Sequence, residues 1–304
     1  MNEPEHMYEL IILGAGPAGI TAAVYAARNK MDFLVITNDI GGQVTLSSQV
    51  ENYTGFQYIT GEDLSDKFQK HLESFHFDLK METVKKVERG YGDFKVNTEY
   101  AAYHGKTVIV ATGRKPRGLK VPGEEELKYR GVTYCATCDA PLYTDRDVAV
   151  VGGGNAGLEA VLQLTKIAKS IQLIELKPSL SADKTLIEKA RASEKVKIRT
   201  NTAVTEITGQ NVVEGIKIRK NGAEQLLPIQ GVFVEIGSEP NSDVADFTET
   251  TRNGEIIVNC ACETNIPGLF AAGDVTNVPT KQIVVAAGEG CKAALTAFRY
   301  VSQR

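Results

Sequence analysis

Apolar positions in this 304-residue chain gather into short, nearly unbroken runs punctuated by glycine and proline, the pattern of strands covered on both faces. Tyr8–Leu13 (YELIIL), Phe33–Thr37 (FLVIT), Thr107–Ala111 (TVIVA), Asp147–Val151 (DVAVV), Ile171–Glu175 (IQLIE) and Leu269–Ala272 (LFAA) are runs of this kind. Helical periodicities lie between them, over the alanine-rich Ile20–Asn29, over Leu158–Lys166 and over Ile283–Tyr300. Residues 61–80 place Leu64, Phe68, His71, Leu72 and Phe75 at helical spacing and read as one amphipathic helix whose stripe is core. Thr83–Tyr100 alternates as an antiparallel hairpin or meander does, and Val196–Ile236 holds further alternating segments. Gly254–Asn259 reads as a short strand.

Strand, turn and helix therefore recur in the order of an α/β protein, and two of the turns carry the same spacing. Gly14-Ala-Gly16-Pro17-Ala18-Gly19 and Gly152-Gly-Gly154-Asn155-Ala156-Gly157 both fit G-x-G-x-x-G, each between a buried run and a helical one. In such a turn the first glycine permits the sharp bend, the second lets a pyrophosphate approach the backbone, and the third lets helix and strand pack closely. Two turns in this context predict two dinucleotides, and the usual pair is FAD and a nicotinamide. Composition shifts near Pro116–Pro122, and Gly237–Asn241 reads as a return linker, so the second unit is an insertion within the first. The fold expected is two nucleotide-binding, Rossmann-like domains, the NAD(P)-type one inserted in the FAD-type one. The boundaries expected are 1–114 with 243–304 for FAD and 115–242 for the nicotinamide.

Composition narrows the classes. Hydrophobic residues make up 42% and charged ones 24%, as in an ordered globular protein. A net charge of -4 without a basic run argues against nucleic acid or an anionic membrane as partner. Leu10–Ala27 is uncharged, but Gly14, Gly16, Pro17 and Gly19 interrupt it, which suits strand, turn and helix better than a membrane span. The acidic Met1–His6 does not have the layout of a signal peptide, and five cysteines, an odd number, do not read as a secreted disulfide framework. A soluble, cytoplasmic protein is expected.

Chemistry concentrates in Cys135-Ala-Thr-Cys138-Asp139. A CxxC of this kind is a redox dithiol or half of a zinc site. Zinc needs four ligands, Cys260-Ala-Cys262 offers only a C-x-C, and the four histidines form no grouping, so no metal is expected. Asp139 is either a helix cap or the group that moves the proton for a thiolate. Glu175, at the end of its strand, is either a solvated strand end or the holder of the ribose hydroxyls of NAD; in the second role it repels the additional phosphate of NADP. A phosphate-selecting site would place arginines just after the strand, yet Leu176-Lys177-Pro178 follow and the next arginine is Arg191, so NADH is favoured over NADPH. In the first unit the corresponding strand ends Thr37-Asn38-Asp39, an imperfect match to the rule. Asp274, after a glycine at a strand end, is either a turn residue or a ligand for a polyol hydroxyl.

These residues, taken in order, resemble one family over essentially the whole chain, the low-molecular-weight thioredoxin reductases. The resemblance rests on GAGPAG at Gly14, GGQ at Gly41, VENY at Val50, ATG at Ala111, CATCD at Cys135, GGGNAG at Gly152, AAGD at Ala271 and KQIVVAAGEG at Lys281. The chain is similar also to the reductase half of the bacterial alkyl hydroperoxide reductase flavoprotein, toward which Pro141-Leu142, Glu175 and Lys281-Gln282 lean. The resemblance implies FAD at Gly14, Gly16, Pro17, Ala18, Gly19, Gly42, Gln43, Asn52, Gly113, Asp274, Lys281, Gln282 and Ile283. It implies a nicotinamide coenzyme at Gly152, Gly154, Asn155, Ala156, Gly157 and Glu175, and a homodimer. It further implies a catalytic set of Cys135, Cys138 and Asp139, in which Cys138 faces the flavin and Cys135 attacks a partner disulfide. NADPH-dependent members carry a histidine and paired arginines where Glu175-Leu-Lys stands here, so their coenzyme choice is not carried over. Members that dock a standard thioredoxin often have aromatic residues where Pro141-Leu142 stands, so the partner is a thioredoxin-like or a glutaredoxin-like protein. A peroxiredoxin system, a flavin-dependent dithiol oxidase and a non-catalytic flavin or NAD sensor are the alternatives. The family also implies rotation about Gly113–Pro116 and Ser238–Asn241.

Overall fold

The structure, a computed structural model, describes residues 6–46, 50, 52–128, 130–134 and 136–303, with Leu46, Thr137 and Cys138 described in their backbone only. The chain divides into two compact units, Met1–Lys115 with Glu239–Arg304, and Pro116–Ser238.

The first unit opens with β1 (Met7–Ala15), α1 (Pro17–Arg28) and β2 (Phe33–Ile40). β1 pairs β2 in parallel, Leu10 facing Phe33 and Leu13 facing Ile36, which the crossover through α1 requires. α2 (Gly61–Glu73) begins where the Thr60 hydroxyl accepts the Asp63 N–H at 3.0 Å, and it stops seven residues short of the expected end. Phe77 stacks on Phe33 with ring centroids 5.7 Å apart, which draws the chain back to the sheet, and β3 (Asp78–Met81) then pairs β2. β3 is exposed at every position, Leu79 and Met81 included, and its four-residue alternation is too short to stand out from the helical pattern before it. β4 (Val84–Arg89) and β5 (Phe94–Thr98) form the expected antiparallel pair. β6 (Ala102–Val110) pairs β5 through its first half and lies parallel to β1 along its length. The chain leaves the unit through β7 (Arg114–Pro116).

The second unit is wound the same way. β8 (Val132–Thr133) leads into α3 (Ala136–Asp139), and β9 (Asp147–Val151), α4 (Asn155–Leu164) and β10 (Ser170–Ile174) make its first βαβ. α5 (Lys184–Ala192) and β11 (Val196–Arg199) follow. β12 (Ala203–Thr208), β13 (Gly215–Lys220) and β14 (Ala223–Pro228) form a separate antiparallel sheet. β15 (Gly231–Val234) completes a parallel sheet in the order β11-β10-β9-β15-β8, and β16 (Ser238–Pro240) carries the chain out. The β12–β14 layer covers one face, through Ile207, Ile216, Ile218 and Leu227 against Ala149, Val151, Val232 and Val234. α4 covers the other, with Leu158, Val161 and Leu164 against Val148, Val150 and Phe233.

Back in the first unit, β17 (Leu269–Ala271) pairs the far half of β6, and α6 (Ile283–Ser302) packs on α1. The expected strand at Gly254–Asn259 is absent; Ile256 alone makes bridges, to Thr250 and Thr276, and its side chain is fully buried while that of Ile257 is exposed. Small residues let α1 and α6 approach closely: a Cβ on Gly290 would stand 2.0 Å from the Ala18 carbonyl oxygen. Gly290→Ala is accordingly expected to lower stability by about 2 kcal/mol, read as a lower urea midpoint. No helix among the described residues is long and apolar enough to cross a membrane.

Candidate functional site

In each unit the carboxyl ends of the parallel strands meet a glycine turn, the place where open α/β sheets bind ligands. In the first unit the ends of β1, β2, β6 and β17 surround a cleft of about 650 Å³. Its lining includes Gly14, Gly16, Pro17, Ala18, Gly42, Gln43, Asn52, Gly113, Asp274, Lys281, Gln282 and Ile283, residues brought together from both segments of the unit. Gly19 lies behind them, where a Cβ would meet the Gly14 carbonyl oxygen at 1.8 Å. A second cleft of about 460 Å³ shares Gly14, Thr37, Asn38, Thr112 and Asn241 with the first.

The three glycines of the turn serve different needs. A Cβ on Gly14 would stand 2.5 Å from the Ala111 carbonyl oxygen, whereas one on Gly16 would meet no protein atom within 4 Å. Gly14 and Gly19 are therefore demanded by the packing of the chain itself, while Gly16 keeps open the space above the start of α1. No side chain caps that helix, nor the start of α6 at Gln282, so both helix N-termini present backbone N–H groups at the cleft. A cradle of this kind fits the pyrophosphate of a dinucleotide.

Sequence reasoning missed several groups here. The Thr37 hydroxyl accepts the Ala15 N–H at 3.2 Å, and Asp39, the penultimate residue of β2, accepts the Gly42 N–H at 3.0 Å. Thr112 and Asn241 exchange hydrogen bonds across the cleft mouth at 2.7 and 2.8 Å. Glu255 bridges two cations of the lining, Arg114 at 3.0 Å and Lys281 at 3.1 Å. Burial works to raise the Glu255 carboxyl, but its bonds to Lys281 and Arg114 outweigh that and hold it below the ordinary range. Asp274 goes the other way: burial pushes it up, against the pull of Lys281 and Arg114. Asn52 donates to the Gln282 side chain at 3.0 Å, and Gln43 to the Arg114 carbonyl at 2.9 Å.

The turn of the second unit repeats the arrangement. Cβ atoms on Gly152 and Gly157 would stand 2.1 Å from the Glu235 carbonyl oxygen and 1.9 Å from that of Gly152, while one on Gly154 would meet only the Ser181 hydroxyl, at 3.8 Å. Asn155 and Ala156 are exposed at the start of α4, which no side chain caps. Asn155 ties that start to Asp183, accepting its N–H at 2.8 Å. Glu175 is buried, and its two carboxylate oxygens accept the Gly153 N–H at 2.6 Å and the Lys177 N–H at 2.7 Å. The acid is thereby pinned against the glycine turn, with lone pairs remaining for a further donor.

The cysteine motif follows β8 in the same sheet. Cys135 lies outside the described residues, and Cys138 is placed only by its backbone, within α3. Asp139 closes α3 and accepts a hydrogen bond from the Thr133 hydroxyl. Its charge, after burial, helps to raise the Tyr143 phenol. Leu142, just beyond, is exposed. Among the described residues no group of three or more histidine, cysteine, aspartate or glutamate side chains is arranged to hold a metal ion.

A family model described as pyridine nucleotide-disulphide oxidoreductase matches residues 8–290. An alkyl hydroperoxide reductase component of Staphylococcus aureus is 39% identical over 98% of this chain and 60% of its own length. An NADH dehydrogenase of Ferdinandcohnia aciditolerans is 38% identical over 97% of this chain and 57% of its own. The chain thus spans less than two thirds of the length of these curated relatives. Among solved structures, thioredoxin reductase of Lactococcus lactis in its FR conformation superposes with a TM-score of 0.89 at 33% identity, over 98% of this chain and all of that one.

Proposed function

The chain belongs to the pyridine nucleotide-disulphide oxidoreductases, a flavoprotein family, and from that premise we propose that it is an NADH-driven reductase of a thioredoxin-like or glutaredoxin-like protein, working through FAD and Cys135–Cys138. The observation that carries this is the pairing of two glycine turns, each with a middle glycine facing open space, with a CxxC at the end of a strand in the second unit's sheet. Domains follow the units: FAD in the first, nicotinamide and dithiol in the second.

Bound in the first unit's cleft, FAD would supply a two-electron carrier between nicotinamide and disulfide. Gly14, Gly16 and the start of α1 would hold its pyrophosphate, while Gly42, Gln43, Asn52, Gly113, Asp274, Lys281, Gln282 and Ile283 complete the cleft that encloses it. Glu255 keeps Arg114 and Lys281 in place, so the lining presents oriented positive charge rather than mobile side chains. In the second unit Gly154, Asn155 and Ala156 open the helix terminus to the coenzyme. Glu175, fixed by two backbone N–H groups, accepts ribose hydroxyls and repels a phosphate in their place. Cys135 attacks the partner disulfide, Cys138 resolves the mixed disulfide, and Asp139, whose partner is a neutral hydroxyl, moves the proton. One NADH and one proton enter; NAD and two partner thiols leave.

Anaerobic stopped-flow reduction tests the reading. NADH is expected to bleach the flavin at least ~10-fold faster than NADPH, the discrimination of a single charge repulsion. A clear win for NADPH would overturn the role of Glu175, and no bleaching by either coenzyme would overturn the whole reading. The 39% identity to an alkyl hydroperoxide reductase component supports a second reading, in which the partner feeds a peroxide reductase. Parallel assays with a thioredoxin and a glutaredoxin-like protein separate the two.

A further inference from the structure

One carboxylate at the carboxyl ends of the second unit's strands has no part in that relay. In the order β11-β10-β9-β15-β8, β15 lies between the strand that ends in the glycine turn and the strand that leads into the cysteine motif. Phe233 faces Thr133 and Val234 faces Val151, so the next residue, Glu235, leaves the sheet between Gly152 and the start of α3. Its N–H goes to the Val151 carbonyl at 2.8 Å, and its own carbonyl oxygen occupies the space that a Cβ on Gly152 would need. Its carboxylate accepts the N–H of Ala136, the residue that follows Cys135. The strand order thus makes this acid the neighbour of both elements. Burial pushes the carboxyl up to about 7, the charge of Glu159 on α4 adds to the push, and the Ala136 N–H opposes it. Asp139, at the far end of α3, is engaged by Thr133 instead.

Resting on the disulfide-reductase reading, we propose that Glu235 is a positioning residue for the redox motif: its carboxylate holds the Ala136 N–H at the start of α3, and the negative charge it brings to that helix end tunes the reactivity of the cysteine thiols. A carboxylate at that point disfavours a thiolate next to it, and the same carboxyl once protonated does not. Because its titration falls in the neutral range, thiol reactivity gains a second dependence on pH beyond the ordinary thiol ionisation. Above the carboxyl's pKa the charge is present and thiolate is suppressed; below it the charge is gone and suppression is lifted.

The test is peptide-resolved alkylation of the reduced holoprotein by iodoacetamide from pH 5.5 to 9.5, which separates Cys135 and Cys138 from Cys260, Cys262 and Cys291. Glu235→Gln keeps an acceptor for the Ala136 N–H and removes the charge. It is expected to react up to ~10-fold faster than the wild type between pH 7 and 8.5, the effect of one unit in thiol pKa. The two proteins should coincide at pH 5.5, where the wild-type carboxyl already carries its proton. Superimposable profiles would overturn the proposal, and so would an offset of equal size at every pH, which a displaced helix would produce. Should the variant not fold, the wild-type profile decides alone: two titrations are expected, and a single one would overturn the proposal. The labelling reads thiols without turnover, so a wild type that shows this profile but does not reduce disulfides would sink the parent reading and leave the Glu235 assignment standing.

Discussion

Cys138→Ser is expected to abolish NADH-dependent reduction of protein disulfides, by at least ~10³-fold, while leaving the flavin bound and reducible. A serine hydroxyl neither closes a disulfide nor ionises near neutral pH, so the electron outlet is lost at the atom level. The cleft assigned to FAD is lined wholly by the first unit, and Cys138 belongs to the second. Reduction of a small acceptor such as ferricyanide by NADH should therefore continue at near wild-type rate. The pair of assays is decisive because one protein serves both. Retained disulfide reduction in this variant would sink the relay.

Gly154→Ala should leave stability unchanged and cut the rate of flavin reduction by NADH at least ~10²-fold, an effect of about 2.7 kcal/mol on the barrier. Its added methyl would meet nothing closer than the Ser181 hydroxyl at 3.8 Å, so the folded chain has room for it. On the proposed reading, that room is the space a coenzyme would need over the start of α4. Gly157→Ala is the contrasting variant. Its methyl would stand 1.9 Å from the Gly152 carbonyl oxygen, forcing helix and strand apart, so it should lose stability together with activity. Urea denaturation and stopped-flow reduction of both variants separate the outcomes. A Gly154→Ala protein that takes hydride at the wild-type rate would remove the turn from coenzyme binding. Gly16→Ala makes the same test in the first unit, read as weakened FAD retention on gel filtration.

Much of this architecture was legible because its information is local. The buried runs at Tyr8–Leu13 and Asp147–Val151, each followed by spaced glycines and an apolar helix, specify strand, turn and helix without help from the rest of the chain. What escaped was set by contacts distant in sequence or by a strand with no buried face. β3, exposed throughout, is a strand only because β2 offers it an edge, and α2 stops early because Phe77 finds Phe33. Arg114 and Glu255 are unremarkable residues until the fold collects them beside Lys281 at one cleft. Glu235 is likewise visible only through strand order, since β15 follows β8 by almost a hundred residues and yet lies beside it.

The first unit is built from two segments and the second from one, and this has a consequence for how the protein is made. During synthesis the contiguous second unit has every strand of its sheet before β17 and α6 have left the ribosome. Until then β6 waits with the far half of one edge unpaired, and the cleft lacks Asn241, Asp274, Lys281 and Gln282. The nascent chain can therefore complete its second unit first, and the cleft of its first unit only afterwards. A chain arrested before Leu269 would carry the complete sheet of its second unit and a first unit open along the far half of β6, which is the form a protease would meet.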